Sequence, residues 1–287
     1  MTIPILVSAR EPDTGKHFVW RVTNVPVPFY LIGTIHRLTG SDYPLPQPFQ
    51  QALKDSQRFL FEVAENRKGE FGEKLAQARV YPKGDSIARH VHPETWAFLV
   101  KSFKQNRYFS AKWKVGGRYI EVQQLRPWAV ANLYGGTSDW RGISGYYGVD
   151  NRFEFEAHRQ GKEVAGLETV DEHVQVMGGM NDVESELLLL DEIVNRKQDR
   201  PEYDRTHAAW KRGDTAGLWA ELQRSRKLNP GAEARLLDMR NVKWIPRIKA
   251  EMKTGKPTCI LAGAGHFVGP NGVISLLQKN GYKIEQL

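Results

Sequence analysis

Four short stretches of the chain share one pattern, an unbroken apolar run that ends on a residue able to carry chemistry. FYLIGTIH at 29–36 runs through Phe29, Tyr30, Leu31 and Ile32, then turns at Gly33 and Thr34 before His36. RFLFEVAE at 58–65 puts Glu62 after Phe59, Leu60 and Phe61. EVAGLET at 163–169 puts Glu168 after Val164, Ala165, Gly166 and Leu167, and CILAGAGH at 259–266 puts His266 after an apolar run and a Gly-Ala-Gly. Short unbroken apolar runs predict strands buried on both faces, the habit of parallel sheets. In open α/β sheets ligands sit beyond the carboxyl ends of the strands. If the four are parallel neighbours, two imidazoles and two carboxylates meet at one rim.

The segments between them read mostly as helices and turns. HFVWRV at 17–22 alternates like an edge strand, with His17 a surface residue. The loop at 40–48 carries Pro44, Pro46 and Pro48 and is placed to overhang the rim. A short helix follows at 49–56. The stretch 69–126 reads as mainly helical, with Trp96, Leu99, Val100 and Phe103 on one face of a helix at 94–104. Within it, 108–119 is aromatic and basic, Trp113 lying between Lys112 and Lys114, as a groove cover or core edge would be. Pro127 opens another helix. The Gly- and aromatic-rich loop at 135–148 is a candidate lid. A helix at 149–159 turns Phe153 and Ala157 inward and ends at Gly161. The stretch 170–253 is largely helical, punctuated by Pro201 and Gly213. Its last helix, at 232–253, carries Leu236, Leu237, Met239, Val242, Trp244, Ile245 and Ile248 as the apolar set, with Pro246 as a candidate kink. Arg240 and Asn241 sit amid that set, where they can face the site or serve as a solvated or capping pair. A helix at 273–279 and a strand at 282–287 close the chain. The strand–loop–helix order predicts an α/β fold. A single domain over 1–287 is expected, with helical segments 70–133 and 171–253 flanking the site.

Charge and cysteine content narrow the function classes. The chain has 41 Lys and Arg against 33 Asp and Glu, a net +8. The basic residues are spread along the chain without a long run, which argues against a nucleic-acid footprint. The lone cysteine, Cys259, rules out an internal disulfide framework and is expected in the core. Residues 1–9 lack the basic start of a signal peptide, and no window approaches the length of a membrane-spanning helix.

The rim has donors of the type a divalent metal takes. His36, Glu62 and His266 are the candidate ligands. Glu62 and Glu168 are candidates for the base that takes a proton from metal-activated water. Arg126 or Arg240 would then stabilise an oxyanion. Taken singly, each histidine and each glutamate also has an ordinary structural use as a hydrogen-bonded or ion-paired group. His90 and His92, spaced by two in HVHP, read as a solvated loop. There is no HExxH helix, no CxxC, no GxSxG elbow and no phosphate-binding loop.

GTIH at 33–36, FLFEV at 59–63, GVD at 148–150, GKEVAGLET at 161–169, RN at 240–241 and LAGAGHFVGPNGV at 261–273 resemble the TraB/GumN/Tiki family. The paired Gly-x-x-His motifs at opposite ends of the chain are the specific part. Phe267 stands where that family often has leucine. The resemblance implies a fold similar to the erythromycin esterase and haem-binding ChaN group, a mostly parallel sheet flanked by helices. Through the Tiki members it implies a metal-dependent protease using Mn2+ or Co2+, Zn2+ being compatible with the same donors. Carried over by motif, the site residues are His36, His266 and Glu62, with Glu168 less securely placed. It implies a periplasmic or secreted life, a cytoplasmic one being the alternative. The substrate would be a peptide or protein, and a homodimer is compatible with all of this. Two other readings remain open: a metal-independent, esterase-like hydrolase with His36 as general base, and a protein that captures a peptide or haem in the same cleft.

Overall fold

The four apolar runs become the parallel part of a six-stranded sheet. The computed structural model describes residues 15–64, 68–105, 112–115, 118–135 and 140–287. In chain order the strands are β1 (Val19–Val22), β2 (Phe29–Thr34), β3 (Arg58–Phe61), β4 (Lys112–Val115), β5 (Arg118–Glu121), β6 (Glu163–Gly166), β7 (Thr258–Gly263) and β8 (Ile284–Gln286). The helices are α1 (Gln47–Asp55), α2 (Lys68–Ala78), α3 (Pro93–Gln105), α4 (Pro127–Gly135), α5 (Val149–Arg159), α6 (Val170–Gly178), α7 (Asp182–Asn195), α8 (Asp199–Lys211), α9 (Thr215–Leu228), α10 (Pro230–Glu233), α11 (Met239–Met252) and α12 (Val273–Lys279). None of the described helices is long and apolar enough to cross a membrane.

The sheet order is β6-β3-β7-β2-β1-β8. β6, β3, β7 and β2 run parallel, while β1 pairs antiparallel with both β2 and β8. In register, Thr34 lies beside Gly263 and Phe61 beside Gly166, so the parallel strands end at one rim. β2 is buried along its whole length because helices cover both faces of the sheet. Phe49 of α1 and Phe153 and Ala157 of α5 belong to that core, as do Trp210, Trp244, Ile248 and Leu277 from α8, α11 and α12. Burying one such large apolar side chain contributes about 1.5–3 kcal/mol, so the apolar runs hold the sheet between its helices. Cys259 is fully buried beneath it.

A second apolar cluster lies among helices, built on Tyr81, Ile87, Leu99, Trp128, Val130 and Leu189. α4 is its centre, and Trp128, Ala129, Val130, Ala131 and Tyr134 are all buried. A helix that is apolar all round belongs in a core.

Several expectations change on contact with the structure. β1 is not an edge, since β8 covers its outer side, and His17 is buried rather than exposed, its ring 6.3 Å from that of Phe49. The stretch expected to be mainly helical contains the β4–β5 hairpin. KWKV and RYIE alternate around a Gly-Gly, which is a hairpin signal that the aromatic and basic character of the stretch obscures. Pro201 lies in the first turn of α8 instead of separating helices, a position where its missing N–H costs nothing. The 40–48 loop leads into α1 and lines a groove between α1 and α5, and its Tyr43 hydroxyl donates to the Tyr147 carbonyl at 2.7 Å. Residues 136–139 of the candidate lid, and residues 1–9, lie outside the described residues. The described part of that loop is tied down, Leu38 and Ser144 exchanging two backbone hydrogen bonds of 3.2 and 2.9 Å.

The last long helix does not follow its sequence pattern either. Five residues, Ala234–Asp238, form a π-helical turn between α10 and α11. A π turn advances the face of the helix that follows it, and such turns recur at functional sites. Met239 and Val242, apolar in the sequence pattern, are consequently exposed, while Arg240 and Asn241 turn inward and are buried.

Candidate active site at the strand ends

Each parallel strand delivers its polar residue just past its last paired position. His36 lies two residues beyond β2, Glu62 one beyond β3, Glu168 two beyond β6 and His266 three beyond β7. The end of β2 is pinned by α8, whose Trp210 Nε1 donates to the Gly33 carbonyl at 2.8 Å. Gly263 marks the point where three of these groups meet. A methyl group on its Cα would lie 3.6 Å from Glu62 Oε1, 3.7 Å from His36 Nε2 and 3.8 Å from His266 Cδ2. A side chain there would fill the space the donors face.

Arg240 organises the carboxylates. Its Nη2 donates to Glu62 Oε2 and to Glu168 Oε1, and its Nε donates to Glu168 Oε2 at 3.2 Å. The guanidinium lies over the Trp244 ring, 4.8 Å from its centroid, and Trp244 Nε1 donates to Glu168 Oε2 at 3.2 Å. Burial alone would push the Glu62 carboxyl up, but Arg240, His266, His36 and the Gly263 N–H together hold it well below the usual carboxylate range. Burial is likewise the largest influence on Glu168, and the hydrogen bonds from His173 and Arg240 outweigh it, so its pKa also falls. Both carboxylates are therefore ionised at neutral pH.

The two rim histidines are each held by Nδ1. His36 Nδ1 lies 3.1 Å from Asp150 Oδ2. That hydrogen bond raises the His36 pKa to about 9. His266 Nδ1 lies 2.7 Å from Asn241 Oδ1, and Asn241 Nδ2 donates to the Asn271 carbonyl at 2.9 Å. His266 Nε2 accepts from Arg240 Nη1 at 3.1 Å, and burial pulls its pKa down to about 4. His266 is thus neutral while His36 is cationic.

The sequence reading missed His173. It sits one turn into α6, where Thr169 and Glu172 form a capping box. Its Nδ1 is bonded to Glu168 Oε1, and its ring meets Phe71 edge-on at 5.1 Å. The signal was present as Thr-x-x-Glu directly after the Glu168 strand, since a helix starting there places the residue after Glu172 over the rim. Asp150 belonged to a quoted motif without a role. Both now line a cavity of about 260 Å3, together with Thr34, His36, Glu62 and Phe71.

The structure therefore gathers His36, Glu62, Glu168, Arg240 and His266. It does not bring Arg126 to them. That guanidinium lies over the Tyr81 ring in the second apolar cluster, 4.7 Å from its centroid, because Arg126 is anchored beside Arg79 at the start of α4. His90 is also used structurally, bridging Asp85 and Asp182 at 3.0 Å each and stacking on Tyr81.

A metal ion is compatible with the donors present. Glu62, Glu168 and His173 each offer a ligand atom, all within 4.8 Å of one another. That group already surrounds Arg240 Nη2, which lies 3.2 Å from His173 Nδ1 in addition to its two carboxylate bonds. The set expected from sequence, His36, Glu62 and His266, is wider. Its histidines nevertheless have the support that ligating imidazoles use, a carboxylate or amide on Nδ1 with Nε2 turned inward.

Fold and site together define an α/β protein with an ionisable cluster at the carboxyl ends of its parallel strands. The chain belongs to the TraB/PrgY/gumN family, whose profile matches residues 18–286. Comparison with curated proteins and with solved structures found no match.

Proposed function

We propose that the protein is a metal-dependent hydrolase of peptide bonds, using Mn2+ or Co2+, with Zn2+ as a third candidate. The observation that carries this reading is the meeting of His36 Nε2, Glu62 Oε1 and the His266 ring around Gly263, with His36 and Glu62 also lining the strand-end cavity. His36, Glu62 and His266 would hold the ion, His36 keeping Nδ1 on Asp150 and offering Nε2 after losing its proton. The tighter group of Glu62, Glu168 and His173 is the less favourable seat, because an ion there displaces Arg240 from two carboxylates, whereas an ion on His266 Nε2 and Glu62 Oε1 displaces it from His266 alone. Removing one partner from such a buried ion pair costs about 3–5 kcal/mol.

When bound, the ion supplies Lewis acidity, which in hydrolytic zinc sites brings the pKa of a water to about 7. The chain's own residues do the rest. Glu168 is fully engaged by Arg240, Trp244 and His173, so it fixes Arg240 rather than taking protons. His173 is oriented by Glu168 and lines the cavity, which makes it the proton acceptor from the attacking water. The guanidinium of Arg240 offers fixed positive charge to a developing oxyanion. Phe71 limits water at the cavity wall.

A second reading, a metal-independent hydrolase, is favoured by one specific observation. Arg240 already supplies positive charge at the centre of the carboxylates, and Asp150 orients His36, which would serve as the general base once pH exceeds its raised pKa of about 9. An erythromycin esterase/ChaN-like fold and a periplasmic or secreted location belong to the same proposal, on the strength of the family. Elemental analysis of protein purified without chelator, with a peptide panel assayed in Mn2+, Co2+ or Zn2+, tests it. The expected result is stoichiometric metal and metal-stimulated cleavage, both lost in His36→Ala. Cleavage indifferent to metal would move the assignment to the second reading, and cleavage unchanged in His36→Ala would reject both.

A further inference from the structure

The groove between α1 and α5 lies on a different face of α5 from the residues that line the strand-end cavity. It encloses about 610 Å3, within the range of about 300–1,000 Å3 typical of small-molecule sites. Its floor is apolar, formed by Leu45, Phe49 and Phe153, with Leu53 partly exposed at its wall. Its rim is basic. Four cations line it, Lys54, Arg152, Arg159 and Lys162, against one carboxylate, Glu156.

Glu156 does not balance them. It is buried and already bonded to Arg159 at 2.6 and 2.8 Å, to Arg152 at 3.0 Å and to Gln160 at 3.2 Å. The two lysines have no ion pair among the described residues. Lys162 Nζ donates to the Leu53 carbonyl and lies 5.4 Å from the Phe59 ring centroid, so its ammonium is drawn inward and meets a single oxygen. An ammonium carries three donors, and burial without a carboxylate partner is costly. Burial accordingly lowers its pKa, and the charge of Asp55, which makes no ion pair with it, does not offset that. Lys54 is exposed on α1, next in sequence to Leu53.

We propose that this groove binds a free fatty carboxylate, its acyl chain along Phe49, Leu53 and Phe153 and its carboxylate on Lys162 and Lys54. The apolar floor selects the chain, and the net positive charge of the rim selects the sign of the head group. A neutral or cationic amphiphile of equal length satisfies the floor and leaves Lys162 unpaired, so the head group decides affinity.

Isothermal titration of the full chain with decanoate, decanol and decyltrimethylammonium tests the assignment. Saturable binding of decanoate is expected, about tenfold or more tighter than either control, the scale of one partly desolvated charge-assisted contact. Lys54→Gln, on an exposed helix position, is expected to weaken decanoate without changing the unfolding midpoint. Lys162→Gln is expected to weaken it further, and Lys162→Arg to restore most of the affinity. Decanol binding as tightly as decanoate, the absence of saturable decanoate binding, or unchanged affinity in both glutamine variants would overturn the proposal.

Discussion

The side-chain oxygen of Asn241 accepts the Nδ1–H of His266 across 2.7 Å. The orientation of the amide is fixed from its other end, where Nδ2 donates to the Asn271 carbonyl at 2.9 Å. His266 must therefore carry its proton on Nδ1 and present the Nε2 lone pair to Arg240 Nη1 at the rim. Burial, which pulls its pKa down to about 4, keeps it in that state. Nitrogen NMR is expected to show a His266 that is still neutral and Nδ1-protonated at about pH 5, where an ordinary histidine of pKa about 6.5 is charged. Asn241→Asp places a carboxylate against Nδ1 and is expected to raise the His266 pKa, bringing an imidazolium to the rim and weakening the proposed metal binding. A ring that stays neutral in that variant would contradict the assignment.

Arg240 links the energetics of the two carboxylates. Arg240→Met leaves Glu62 and Glu168 buried together without their cation, and stability at neutral pH is expected to fall by about 3–5 kcal/mol. The pH dependence changes as well. In the native chain both carboxyls have pKa values below those of the unfolded state. Their contribution is complete above about pH 4.5 and is lost as pH falls toward the folded values. In Arg240→Met both pKa values rise, so acidification should cost less stability than in the native chain, or even add some. Urea unfolding at pH 7 and pH 3.5 measures the difference. The same substitution empties the centre of the Glu62, Glu168 and His173 group, so Mn2+ should stabilise the variant more than the native chain.

Much of this arrangement could be read from residue order. Four apolar runs ending in His36, Glu62, Glu168 and His266 were enough to specify adjacent parallel strands and a common rim, because burial on both faces leaves an apolar run few other places. Arg240 and Asn241 were visible only as polar residues in an apolar helix. What turned them inward was the π turn at Ala234–Asp238, and backbone hydrogen-bond register leaves no mark in a hydrophobic pattern. His173 was hidden for a related reason. Its position depends on where α6 starts, and that is set by the reciprocal bonds of Thr169 and Glu172. Arg126 was misplaced because a basic residue before a helix-opening proline has no directional signature, and the Tyr81 ring that receives it lies 45 residues earlier in the chain.

Glu192 on α7 carries an uncompensated cost. Burial, followed by the charges of Asp199, Asp191 and Glu202, raises its pKa to about 7. A carboxyl raised in the folded state is tolerated while protonated, and stability is lost as pH rises from the unfolded value of about 4.5 through the folded one. Glu192→Gln removes that loss. It is expected to stabilise the chain by about 1–2 kcal/mol at pH 8, after allowance for solvent screening of a partly exposed group. At pH 4 it should have little effect. Thermal unfolding at the two pH values checks both halves.

Gly148 holds the His36–Asp150 pair in place by having no side chain. Its backbone lies in an ordinary region, φ −57° and ψ 140°, so conformational freedom is not the reason for glycine there. The reason is space, since a Cβ would collide with the His36 carbonyl oxygen and lie 2.9 Å from its carbon and 3.1 Å from Asp150 Oδ1. Gly148→Ala must push apart the two segments whose side chains meet, at a cost of about 1–3 kcal/mol typical of overpacking. The Asp150 hydrogen bond is what raises the His36 pKa to about 9. In the native chain the stability gained from that pair is present below about pH 6.5 and fades as pH rises through the folded value. In Gly148→Ala the His36 pKa should fall toward the ordinary histidine value, and the decline in stability above neutral pH should flatten. A proton NMR titration of His36 in the two proteins reads the shift directly. An unaltered titration would mean that Asp150 reaches His36 without the close approach at Gly148.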